Sequence, residues 1–283
     1  MSRISSLAGG GPQTPVARLL LYVATAGALS IVGRSVLVAP VPVYVAVPAL
    51  VAYVLFIGAG VAFLRLGMFV DVVWRGPPEA RGVALTFDDG PSPEHTPRIL
   101  DLLDEAGVKA TFFVLGRKAA AHPAIVRAIA DRGHAVAIHG YDHDRLLTLR
   151  SPEVVSDDIA EAITVVESIT GARPAFYRPP VGLTSPRLAH ALGWFDVTVV
   201  GWSVRALDGW SGARPDQVAA RVARELRDGA IVLLHDASER DDFRPASVEA
   251  LPRILAAMRA RDLAGVRLDA WLGGDDPDAD AAS

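Results

Sequence analysis

The chain has 283 residues, enough for one domain of about 200 residues plus an appendage. It contains no cysteine, which excludes a disulfide framework and a thiolate metal site. A net charge of −4 without a basic stripe gives no footprint for nucleic acid, while a mean hydropathy of +0.30 is high for a wholly soluble enzyme.

The apolar excess lies at the amino-terminal end. From Val16 to Leu64 the only charged residues are Arg18 and Arg34. A bilayer core needs about 20 apolar residues per helix, so residues 16–64 hold two transmembrane helices, expected near 19–38 and 43–64. The Ala39-Pro40-Val41-Pro42 interruption supplies the hairpin. A cleaved leader is the alternative for the first run and a buried core helix for the second. Residues 1–15 read as an amino-terminal tail.

Residues 65–81 form a juxtamembrane linker in which Met68, Phe69, Val72, Val73 and Trp74 mix with few charges. Such a segment either lies at the headgroup level, where Trp and Arg are favoured, or packs on the following domain. That domain spans 82–270 and alternates short β-rich runs with amphipathic stretches, the pattern of βα units around a parallel sheet. Strands are expected at 83–87, 110–115, 135–139, 175–178, 197–202, 230–234 and 266–268. Helices are expected at 97–106, 123–132, 152–170, 186–192, 215–227 and 245–261, most with Pro near the first turn. An acidic disordered tail is expected at 271–283, since residues 273–283 lack apolar anchors.

The chemistry gathers at the strand ends. Strand 83–87 runs into Asp88 and Asp89, and adjacent carboxylates resist joint ionisation unless a cation or a proton divides them. His139-Gly-Tyr-Asp-His143 places two imidazoles after the third strand. One carboxylate with two His is a ligand set for a catalytic divalent ion that keeps a position open for water. Asp88, Asp89, His139, Arg178, Trp202 and His235 all fall at the C-terminal ends of expected strands, which share one face in a βα barrel.

The ordered set Thr86-Phe-Asp-Asp-Gly90, His139-x-x-x-His143, Arg178-Pro-Pro-Val-Gly182, Trp202 to Asp208 and Leu233-Leu-His235 resembles the polysaccharide deacetylase family, the NodB-like carbohydrate esterases of family 4. The resemblance implies a distorted (β/α)7 barrel and a metal-dependent hydrolase that removes an N-acetyl group from an amino-sugar glycan or glycolipid. It implies that Asp89, His139 and His143 hold a divalent metal, Zn²⁺ first among the choices. It assigns Asp88 as general base, Arg178 as its orienting partner and His235 as general acid. The backbone N–H of Val181 would receive the oxyanion, and Trp202 and Leu233 would enclose the acyl methyl. Asp208 is expected to pair with Arg178.

The chain departs from the family pattern at Arg205, where Asp is common, and at Asp208-Gly209-Trp210, where Asp-Trp is common. The alternatives are a deformylase of a lipid-linked amino sugar, an O-acetyl esterase, and an inactive barrel that binds glycan. His95, His122, His134 and His190 read as surface or satisfied core residues, with His95 the nearest to an exception because it follows the Asp-Asp-Gly turn. Positive charge flanks the two crossings on the outside (Arg3, Arg18, Arg65, Arg75, Arg81), with Arg34 alone near the hairpin. This pattern orients both ends, and the barrel, toward the cytoplasm, where a lipid-linked sugar is the accessible partner.

Overall fold

The computed structural model describes residues 15–272, so of the expected tails at 1–15 and 271–283 all but residues 15, 271 and 272 lie outside the described residues. Residues 271 and 272 are not disordered but end a short helix, with Trp271 Nε1 donating to Arg81 O at 3.0 Å. The apolar run folds as α1 (Val16–Leu37) and α2 (Val43–Ala62), broken at residues 39–42. The two helices lie together, with the hydroxyls of Thr25 and Tyr53 2.9 Å apart. Both are long and apolar enough to cross a membrane, and side chains such as Leu29, Leu50 and Leu55 are exposed along them.

Seven strands build one parallel sheet: β1 (Val83–Asp88), β2 (Thr111–Val114), β3 (Ala135–Ile138), β4 (Phe176–Tyr177), β5 (Thr198–Val199), β6 (Val204–Arg205) and β7 (Ala230–His235). Their order, β5-β4-β3-β2-β1-β7-β6, curls around an interior as a distorted (β/α)7 barrel. The helices of this region are α3 (His95–Ala106), α4 (Gly116–Ala121), α5 (Pro123–Asp131), α6 (Pro152–Thr170), α7 (Pro186–Leu192), α8 (Pro215–Glu225), α9 (Ser247–Arg259) and α10 (Asp269–Leu272). Pro opens α5, α6, α7 and α8, where its missing N–H costs no intrahelical bond.

Strand periodicity sorts the core into two layers. Val83, Leu85 and Phe87 of β1 join Phe112, Ile138, Val232 and Leu234 in the layer under the helices. Ala84, Phe113, Ala137, Phe176, Val200 and Ile231 fill the barrel interior. Asp88 falls on the same face of β1 as Ala84, so a carboxylate is delivered to the interior at the strand's C-terminal end.

One expected strand is replaced by another. Residues 266–268 do not join the ladder as a strand. The Val266 N–H donates to the Val83 carbonyl at 3.0 Å, the Leu268 N–H to Thr111 Oγ1 at 3.1 Å, and Leu268 is buried in the interior cluster. The apolar pattern there closes the bottom of the barrel. The seventh strand is β6, whose two residues are too few to show any alternation. The short helices α4 and α10 were likewise not expected, each spanning fewer than two turns.

The linker packs on the domain. Leu64, Met68 and Val70 are buried, and the Val73 N–H donates to Val199 O at 2.9 Å while the Gly201 N–H donates to Val73 O at 2.8 Å. Gly76 then donates to Gly229 O at 2.8 Å, so the segment runs from the β5 side toward the foot of β7.

A buried histidine far from these strand ends sets an acid limit on stability. His134 is 4% exposed, and its Nδ1 accepts the Ala110 N–H at 3.1 Å, which requires the neutral ring. Burial, with Lys109 adding to it, lowers its pKa from 6.5 to about 4. Between those values the unfolded chain binds a proton that the native state refuses, so stability is lost as pH falls through that window, by roughly 2–3 kcal/mol. His134→Gln should flatten the fall in melting temperature between about pH 6.5 and 4 measured in detergent; an unchanged slope would remove His134 as the cause.

Candidate active site

A cavity of about 400 Å³ opens at the C-terminal ends of the strands and is lined by Asp88, Asp89, His139, His143, Arg178, Val181, Trp202, Leu233 and His235. Nine of the ten residues expected from sequence therefore share one concavity; Asp208, the tenth, is fully buried behind His235. None of His95, His122, His134 and His190 lines it.

Asp89, His139 and His143 each offer one ligand atom, all within 4.8 Å of one another. The tautomers are set from behind. The carbonyl of Arg178 lies 2.7 Å from His139 Nδ1, so that nitrogen carries the hydrogen and Nε2 presents its lone pair. Glu239 Oε2 stands 3.4 Å from His143 Nδ1 and favours the same tautomer there. The two Nε2 atoms lie 3.6 and 3.3 Å from Asp89 Oδ1, which is buried and has no hydrogen-bond partner. Burial holds His139 neutral, with its pKa at about 3, and lowers that of His143; it also raises Asp89 to about 7. Two lone pairs and a carboxylate oxygen aimed at one point repel one another until a cation stands between them, so this donor set fits a divalent metal.

The loops that carry these residues are bent out of ordinary conformations. Asp89, His143 and Val181 have φ of 71°, 59° and 52°, which costs about 1–3 kcal/mol each for residues with a Cβ. Asp158 on α6 offsets part of this by accepting the Tyr141 and Asp142 N–H groups at 3.0 and 3.3 Å, fixing the turn between the two histidines. At Val181 the turn leaves a main-chain N–H that donates to no acceptor among the described residues, at the wall of the cavity.

Beside the ligand cluster, Arg178 is fully buried and donates to Asp88 Oδ1 at 2.6 Å, to Thr86 Oγ1 at 2.9 Å, and to the carbonyls of Val200 and Gly201. Burial raises the Asp88 pKa and Arg178 opposes it, so the carboxylate is held in a single orientation yet remains able to take a proton. Across the cavity, Asp208 accepts from the His235 main-chain N–H at 2.8 Å and meets Nδ1 at 3.0 Å. Burial alone would lower the His235 pKa, but Asp208, with Asp89 and Asp88, raises it to about 10.

This corrects the expected partner of Asp208, which pairs with His235, while Arg178 pairs with Asp88 as expected. Chain direction explains the exchange, because after β6 the backbone turns at Leu207, with φ of 58°, and passes behind the end of β7. Gly209 follows because a Cβ there would stand 2.7 Å from the His235 ring. The Trp that the pattern led one to expect is thereby displaced to Trp210, exposed at the cavity rim.

Two contributors escape sequence reasoning. Asp158 lies on the inner face of a long helix, and Glu239 sits in the polar run 236–242, where nothing marks one acid over its neighbours. That run is pinned by buried Lys118, which donates to Ser238 O at 2.7 Å and Asp241 Oδ1 at 2.5 Å, and by Arg117, which donates to Glu239 O.

A family model described as polysaccharide deacetylase matches residues 75–200. A peptidoglycan-N-acetylglucosamine deacetylase of Bacillus cereus is 36% identical over 191 residues, covering 66% of this chain and 67% of that protein. Among solved structures, a family 4 acetyl xylan esterase from Clostridium thermocellum holding a cobalt ion superposes with a TM-score of 0.62 at 35% identity, covering 68% of this chain and 90% of the other. A family 4 pseudoenzyme from Bacillus anthracis superposes with a TM-score of 0.64 at 26% identity, covering 73% and 71%. With the order of its motifs, its barrel and this level of identity in agreement, the chain belongs to the polysaccharide deacetylase family.

Proposed function

We propose that this protein is a membrane-anchored, metal-dependent hydrolase that removes the N-acetyl group from an amino sugar. The observation that carries the reading is the convergence of Asp89, His139 and His143 between an Asp88–Arg178 pair and a His235–Asp208 pair in one cavity. A divalent cation held by the three ligands, zinc by donor chemistry, would polarise the amide carbonyl and bring a water to a pKa near ~7. Asp88 takes the proton of the attacking water while Arg178 keeps the carboxylate aimed. The Val181 N–H receives the oxyanion. His235, held as imidazolium by Asp208, gives its proton to the departing sugar nitrogen, which leaves as the amine. Leu233 and Trp202, which line the cavity, would receive the acetyl methyl.

The likeness to an acetyl xylan esterase supports a second reading, O-deacetylation, with an alcohol as leaving group. The likeness to a pseudoenzyme raises the inactive alternative, against which stands the filling of every catalytic position in this chain. Acetate release from N-acetylated and O-acetylated sugars by metal-loaded protein separates the three. Release from N-acetyl sugars is expected; release from O-acetyl sugars alone, or none, would overturn the amide reading.

Topology is a further expected result. Arg18, Arg65, Arg75 and Arg81 lie on the barrel side of α1 and α2 and Arg34 on the hairpin side, a charge pattern that supports a cytoplasmic barrel. A reporter active only outside the membrane, fused after Ser283, should stay silent. A strong external signal would reverse the orientation and bring wall polymer within reach.

A further inference from the structure

The end of α2 is bonded to the wall of the catalytic cavity. Thr184, three residues beyond Val181, donates its N–H to Val61 O and its hydroxyl to Gly60 O, both at 3.1 Å. Three residues of chain reach at most about 11 Å, so with the hydrogen bond the oxyanion donor lies within about 14 Å of the last turn of an apolar helix. The same helix exit touches a second part of the wall: Arg65 donates to Trp202 O at 2.8 Å and to Ser203 O at 2.7 Å. Gly60 is packed so closely that any side chain there would collide with Met68, so the helix end seats without a gap. The catalytic face of the barrel, and not its bottom, is the face joined to the membrane-spanning region.

That wall is chemically mixed in a way a neutral polysaccharide does not need. Val181 and Trp210 are 48% and 58% exposed at the cavity, and Leu207 beside them is also exposed. Between these apolar groups stands Arg205, two residues from the Arg65 anchor at Ser203. The other arginines and the histidine facing the cavity have acidic partners: Arg178 with Asp88, Arg145 with Glu239, His235 with Asp208, and Arg240 at 3.9 Å from Glu239. Arg205 has none among the described residues, and its guanidinium lies 5.8 Å from the Trp202 ring. An exposed guanidinium beside an aromatic ring, on the wall to which the helix exit is bonded, suits a phosphate.

Building on the deacetylase reading, we infer that the substrate is a lipid-linked amino sugar whose phosphate pairs with Arg205, whose sugar enters the cavity, and whose hydrocarbon remains in the bilayer beside α2. The apolar rim then meets the membrane interface, and the carrier lipid never leaves it. This holds for either orientation of the barrel, since it depends on which face adjoins the helix and not on which side of the membrane that face lies.

The test uses the full chain, metal-loaded, in lipid nanodiscs. Acetate release is compared for N-acetylglucosamine joined through phosphate to a prenyl chain, the same sugar on an alkyl chain without phosphate, N-acetylglucosamine 1-phosphate, and neutral chitotetraose. The prenyl phosphate substrate should exceed chitotetraose in kcat/KM by at least about tenfold, and Arg205→Ala should raise KM for the two phosphate-bearing substrates about tenfold more than for the other two. Equal or faster turnover of chitotetraose, or an equal effect of Arg205→Ala on all four, would overturn the inference. Direct binding of the prenyl phosphate sugar separates the two failures. Arg205-dependent binding without acetate release would sink the deacetylase reading alone, and binding indifferent to Arg205→Ala would sink the substrate assignment alone.

Discussion

His139→Ala is expected to abolish metal binding and to lower acetate release on the order of 10³-fold or more, with the barrel still folded. His139 contributes one of three protein donors, so its loss leaves a carboxylate and a single imidazole for a cation. The fold should survive because the side chain makes one hydrogen bond, to the Arg178 carbonyl, worth about 1 kcal/mol net. Metal content by mass spectrometry, circular dichroism and turnover are read together. Retained activity without bound metal would end the proposed mechanism; loss of the dichroism signal would mean that the ring also holds the barrel together, and His139→Gln would then isolate the metal effect. Glu239→Gln should fall between wild type and His139→Ala, since Glu239 stands behind His143 and is not itself one of the three ligands, with an expected loss in metal affinity of about 10–100-fold.

The second large effect separates base from acid. Asp88→Asn should keep its metal and lose on the order of 10²–10⁴ in kcat, because the amide retains an acceptor for Arg178 but cannot take a proton. If Asp88→Asn loses metal instead, the roles of Asp88 and Asp89 are exchanged. On the opposite wall, Asp208 is one of the groups that raise His235, so Asp208→Asn must lower the His235 pKa. A general acid works only while protonated, so activity is lost as pH rises through that pKa. The alkaline limb of the kcat profile should therefore move to lower pH in Asp208→Asn and flatten in His235→Ala. An alkaline limb unmoved by Asp208→Asn would show that His235 is not the titrating acid.

Much of this protein is written locally in its chain. Two long, almost wholly apolar runs favour helices, which pair their own backbone groups, and the residues between them break at two prolines, so α1 and α2 were legible within two or three residues of their ends. The βα alternation gave six of the seven strands, and because parallel strands with crossover helices point the same way, it also brought Asp88, Asp89, His139, Arg178, Trp202 and His235 to one face before any distance was known.

What the chain could not show is whatever depends on segments meeting from afar. A two-residue strand such as β6 has no period, and the same apolar residues at 266–268 serve equally as strand or as plug until the barrel's bottom is seen to need closing. Pairing among charges is decided by which backbone passes behind which side chain, and that alone gave Asp208 to His235, whereas the pairing of Arg178 with Asp88 was expected. Glu239 and Asp158 act across loops 96 and 16 residues distant from the histidine turn they support, at separations where sequence carries no signal. The docking of α2 onto the catalytic face is of the same kind: Thr184 and Gly60 are 124 residues apart, and only the packed structure brings this apolar helix to the mouth of the site.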